Sequence, residues 1–102
     1  MNLIVRHEAS EEFWGAVERY ALEDVELAVR FAGEVDSSIA QISQDPDRAR
    51  ARQMSGMEYR RVNLKTFPYY IAYRIIEGEV IVFTISHGHK DPEHWLERVD
   101  PE

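Results

Sequence analysis

No cysteine occurs anywhere in this chain. That excludes a disulfide frame, a thiolate zinc site and a thiol nucleophile together, and it suits a reducing compartment. No apolar run approaches the ~20 residues needed to span a bilayer, and the opening MNLIVRHEASEEF has neither the basic start nor the apolar stretch of a secretory signal. The expectation is a soluble, cytoplasmic protein. Internal repeats are absent, as is any shift in composition that would mark a second domain. Residues 1–102 therefore read as one domain, long enough to bury roughly two thirds of its unfolded surface.

Positive charge is scarce in one half only. Residues 1–50 hold 5 basic and 11 acidic side chains, residues 51–102 hold 7 and 8, and the net charge is −7. Proteins that track phosphate backbones gather Lys and Arg on one face, because released counterions supply much of their affinity. Here only a local patch could do so, and the densest basic run is Arg48, Arg50 and Arg52.

What is present divides into helices first and strands later. Leu3, Ile4 and Val5 form an apolar run too short for a helix, which predicts a first strand. Phe13, Ala16, Val17, Tyr20 and Ala21 then recur at helical spacing, with Ser10 as the expected cap and Glu11 and Glu12 near the positive end of the helix dipole. Trp14 falls off that stripe, at the helix edge or against a partner. After a break at residues 21–24, Val25, Ala28, Ala32, Val35, Ile39 and Ile42 predict a longer helix, widened by Leu27, Val29 and Phe31 and stopped by Pro46. A short turn between two helices implies an antiparallel hairpin. The stretch DPDRARARQMSGME has no clear period and reads as a loop.

Strands follow: Tyr59–Leu64, Tyr69–Ile76 and Glu79–His87, the last two joined by a Glu77–Gly78 turn. On the middle strand Tyr69, Ile71, Tyr73 and Ile75 share one face, and alternation puts Ile81, Phe83, Ile85 and His87 together on the last. Pro92 opens a short closing helix through Glu93–Arg98. The fold class is α+β: an N-terminal strand, a helical hairpin packed on a small, twisted, mainly antiparallel sheet, and a short C-terminal helix.

That order of elements, with RRVNLKTFPYYIAYRI, the EGEV turn and ISHGHKDPEHWLER, resembles the RelE/ParE superfamily of type II toxins, and within it the ParE-like, plasmid-stabilisation branch. The resemblance implies a toxin neutralised by a cognate antitoxin. It also implies two alternative targets: RelE-like members cut mRNA in the ribosome, and ParE-like members inhibit DNA gyrase without a cofactor. Fold membership does not choose between them. In the endoribonuclease reading Arg74 and one of Arg60 and Arg61, with Arg61 the candidate, would contact phosphate. His87 would move the proton, as an imidazole does near neutral pH. Equally, the arginines could bridge the acidic helices, His87 could be a structural strand-end residue, and Tyr69, Tyr70 and Tyr73 could be core rather than base-stacking groups.

In the gyrase reading the target contacts fall on Lys90, Asp91, Trp95 and Arg98, and the antitoxin would cover Phe13, Trp14, Val17 and Tyr20. A metal site from His87, His89, Asp91 and His94 matches no established zinc spacing, so neither metal nor cofactor is expected. His7 has no evident role. The acidic balance, and an ending at Glu102 without a basic or His-Tyr tail, depart from the endoribonuclease pattern. They favour the ParE-like reading, or a non-toxic module that only binds an antitoxin.

Overall fold

The computed structural model describes residues 2–88. The expected C-terminal helix and its residues Lys90, Asp91, Trp95 and Arg98 lie outside them. Strand β1 (Asn2–Val5) leads into helices α1 (His7–Glu23) and α2 (Val25–Gln44), followed by β2 (Ala51–Met54), β3 (Met57–Asn63), β4 (Tyr69–Ile76) and β5 (Glu79–His87). The sheet order is β1-β5-β4-β3-β2. β1 runs parallel to β5, with Leu3 opposite Val80 and Val5 opposite Val82, and all other pairs are antiparallel. This is the α+β arrangement expected, a helical hairpin on one face of a mixed sheet.

α1 begins earlier than the sequence indicates. The Arg6 N–H is held by Val82 O at 2.9 Å and the Arg6 carbonyl accepts from Ser10 N, so the chain turns straight from β1 into the helix. Ser10 therefore sits inside α1 instead of capping it, and the acid in the first turn is Glu8 rather than Glu11 or Glu12. The break falls at Asp24, whose carboxylate accepts from Glu26 N at 2.9 Å and caps α2. On α2 the buried line is Ala28, Phe31, Val35 and Ile42, while Val25 is 67% exposed. Phe31, the largest side chain on the helix, sets which face turns inward.

The segment read as a loop contains a hairpin. β2 pairs with β3, Ala51 opposite Arg60 and Met54 opposite Met57, around Ser55 and Gly56 with φ of 52° and 78°. Two successive positive φ values match the right-handed twist of the strands. The Glu77–Gly78 turn has the same form, with φ of 51° and 80°.

Alternation on β5 also breaks. Ala72 pairs with Thr84 but Tyr73 with Val82, which makes Phe83 the extra residue of a bulge. Val80, Val82 and Ile85 consequently join the core beneath the helices, whereas Phe83 packs with Tyr59, Tyr70 and Ala72 on the opposite face. The expected single face of Ile81, Phe83, Ile85 and His87 is thus split. Centred on Phe31, the main core stacks Phe13, Tyr20, Phe67 and Tyr69 with ring centroids 5.0–5.9 Å from it. The buried Tyr73 hydroxyl donates to Pro46 O at 2.6 Å, tying the end of α2 to the sheet; burial pushes its phenol above 10.0.

Phe67 reaches this core from the β3–β4 loop, and α2 holds the loop through Glu34. Its carboxylate accepts from Lys65 N at 2.6 Å, Thr66 N at 3.2 Å and Thr66 Oγ1 at 2.6 Å. Partial burial pushes this carboxyl up, but the hydrogen bonds from Thr66 and Lys65, with the Lys65 charge, outweigh it and hold Glu34 below 4.5. A carboxyl depressed on folding contributes stability that is fully present above its unfolded value and is lost as pH falls through the folded one. Thermal melts should therefore show wild type and Glu34→Gln diverging above about 4.5 and converging in stronger acid. A constant gap at all pH values would contradict this linkage.

Candidate functional site

β5 ends at His87, opposite Tyr69 on β4. The two rings meet edge to face at 5.3 Å, and Arg19 from α1 donates to the Tyr69 hydroxyl at 3.1 Å. Between them lies a hollow of about 130 Å³, lined also by Glu11, Glu12, Gly15 and Ser86. It forms because the apolar stripe of α1 rests on the sheet while the polar flank of the helix overhangs the end of β5.

Glu12 explains why this corner is ordered. β1 stops running beside β5 at Val82, and beyond it the Glu12 carboxylate takes over the strand edge. It accepts from Ile85 N at 3.0 Å, Thr84 Oγ1 at 2.8 Å and Ser86 Oγ at 3.4 Å. The Thr84 and Ser86 hydroxyls also bond to each other. Removing the acceptor takes away the bond made by the buried Ile85 N–H, which is costly to leave unmade. Glu12→Ala should cost about 1–3 kcal/mol in urea unfolding, and Glu12→Gln, which keeps one oxygen acceptor, distinctly less. Equal losses for the two variants would remove this account. The sequence offered no sign of the role: Glu12 lies off the apolar stripe and reads as a solvated acid.

The other proposed phosphate contacts lie elsewhere. Arg61 and Arg74 belong to the sheet face opposite the helices: the Arg61 guanidinium lies 3.9 Å from the centre of the Tyr70 ring and its Nε donates to Asn63 Oδ1 at 3.0 Å. Arg74 Nε donates to Glu58 O at 3.0 Å. Arg60, on the helix side, donates to the Asp47 and Ala49 carbonyls and pairs with the Asp47 and Glu58 carboxylates at 3.5 and 3.6 Å. Arg60 thus fastens the loop before β2 and Arg74 bridges β4 to β3, while Arg61 rests on Asn63 and Tyr70; His87 stands on the other side of the sheet from Arg61 and Arg74.

Of the residues expected to meet an antitoxin, Phe13, Val17 and Tyr20 pack half-buried against the core, and Trp14 is 59% exposed. Leu22, Val25 and Val29 are also strongly exposed on the hairpin. Their spacing blends into the apolar stripe, so the sequence did not single them out. His7 pairs with Glu11 one turn on, at 3.1 Å. A larger hollow of about 340 Å³ opens between the end of α2 and β3, lined in part by Gln41, Ile42, Asp45, Arg48 and Tyr73. Among the described residues no cluster of three or more His, Cys, Asp or Glu could hold a metal ion, and no helix is long and apolar enough to cross a membrane.

Hairpin, sheet and strand order define an architecture already seen in a toxin–antitoxin context. A chain from the solved chromosomal ParDE toxin–antitoxin system of P. aeruginosa superposes with a TM-score of 0.74 at 16% identity, over 85% of this chain and 95% of that one. At that identity the likeness concerns the fold. The family model for the ParE toxin of type II toxin–antitoxin system, parDE, matches residues 3–92, and the chain belongs to this family of toxins. No curated protein matches it significantly.

Proposed function

We propose that the protein is the toxin of a type II pair that acts by binding its target, DNA gyrase, and is held inactive by a cognate antitoxin. The supporting observation is the surroundings of His87. An endoribonuclease brings a phosphodiester beside its proton-transfer group and surrounds it with cations. Among the described residues, the charged groups that share the His87 hollow are Glu11, Glu12 and Arg19. Arg61 and Arg74 lie on the opposite face, the first against Asn63 and the Tyr70 ring and the second on the Glu58 carbonyl. Two carboxylates beside one guanidinium give this part of the hollow a negative balance, which opposes cleavage of a phosphodiester and favours action through surface recognition.

The target-binding segment in this reading is Lys90–Arg98, with Trp95 as the anchor, since buried aromatic and Arg side chains dominate binding hot spots. The test is what fails first in cells expressing the chain alone. DNA breaks, the damage response and filamentation are expected. Rapid loss of translation with mRNA cut at codon boundaries and DNA intact would replace this reading with the ribosome-dependent one. The absence of both would leave a module that only binds an antitoxin.

A further inference from the structure

The two edges of the sheet are built differently. β2 carries Arg52 and follows Arg48 and Arg50, charged side chains of the kind that discourage added strands. β1 reads Asn2, Leu3, Ile4, Val5, with no charge, and its Ile4 and Val5 are 45% and 37% exposed. Among the described residues β1 pairs only with β5. The Arg6 N–H points to Val82, and backbone direction alternates along a strand, so the N–H and C=O groups of Leu3 and Val5 face away from β5.

A second feature adjoins this edge. A cavity of about 190 Å³ has apolar walls from Val5, Phe13, Val35, Ile39 and Ile85, with Ser10 and Asp36 supplying its polar lining. Trp14 packs edge to face on Phe13 at 5.0 Å and keeps most of its surface exposed. Small-molecule sites begin at roughly 300 Å³, so this hollow suits a single large apolar side chain. An edge that offers backbone hydrogen bonds beside a pocket for one side chain is the pattern of strand addition, in which the ladder supplies affinity and the pocket specificity.

We propose that the outer edge of β1 receives an extended segment of a protein partner, with one large apolar side chain in the cavity and a Lys or Arg beside Asp36. The charge of the partner segment follows from its surroundings. β1, α1 and α2 lie in the half of the chain with 5 basic and 11 acidic residues, a field that steers a basic segment inward. The inference rests on the reading of the chain as a toxin held by an antitoxin, and it names where and how that partner docks.

The probe is the co-purified product of the adjacent reading frame. In the complex, amide exchange at Leu3 and Val5 should slow tenfold or more relative to the chain alone. Val5→Pro removes an outward N–H without touching the β1–β5 ladder, and should weaken binding at least tenfold while thermal melts show the fold retained. Asp36→Lys, at an exposed helix position, should weaken it severalfold and is the variant to rely on if Val5→Pro does not fold. If the wild-type chain does not bind the probe, the antitoxin reading itself falls. Wild-type binding that Asp36→Lys, and Val5→Pro where it folds, leave unchanged, with exchange at Leu3 and Val5 unaltered, overturns only the docking site. A dimer of the chain alone that Val5→Pro dissociates overturns it in favour of a second copy at this edge.

Discussion

Phe31→Ala should destabilise the protein by about 3–5 kcal/mol, the range for truncating a buried aromatic ring. Phe31 is fully buried and meets four other rings, from α1, the β3–β4 loop and β4. Alanine would remove the side chain where three elements converge, and none of them can close the gap without giving up another contact. A domain of this size has about 5–15 kcal/mol in all, so the variant should be largely unfolded in mild urea. Val29→Ala, on the same helix but 66% exposed, should change stability by no more than about 0.5 kcal/mol. Urea titration followed by circular dichroism measures both. A Phe31→Ala loss under about 1 kcal/mol would mean that the aromatic cluster is not the centre of the core.

The second large effect separates binding from catalysis. His87→Ala should leave toxicity nearly intact, whereas Trp95→Ala should weaken gyrase binding about thirtyfold or more, the consequence of losing a hot spot of about 2 kcal/mol or more. Deleting residues from Asp91 onward should abolish growth inhibition. Survival on induction, with supercoiling by purified gyrase as the direct readout, measures all three. The reverse pattern, in which His87→Ala or Arg74→Ala costs about a hundredfold in mRNA cleavage while Trp95→Ala is silent, is what general acid–base chemistry would produce. It would retire the gyrase reading.

Both experiments depend on features with unequal visibility in the sequence. β4 and β5 were legible to the residue, since Pro68 and the Glu77–Gly78 turn bound them and their apolar alternation is strong. The β2–β3 hairpin was not, because Ser55–Gly56 is flanked by only a few alternating residues and a run of arginines obscures the period. The bulge at Phe83 was invisible for a different reason. One extra residue reverses the facing of a strand, yet its position depends on which residues of β4 lie opposite, and no local pattern records that.

Local chemistry by itself determined the helical hairpin, the break at Asp24, the β4–β5 hairpin and the family resemblance, because periodicity, capping and turn residues act over a few positions. Which residues share a site was decided only in three dimensions. The pleat of β3 and β4 carried Arg61 and Arg74 to one face of the sheet, and the bulge returned His87 to the other, beside Arg19, Glu11 and Glu12. Glu12 and Glu34 look alike in sequence as acids on helices. One completes a strand edge and the other a loop because β1 ends at Val5 and Phe67 must turn inward, and contacts across 73 and 31 residues are set by how the elements pack rather than by what adjoins them in the chain.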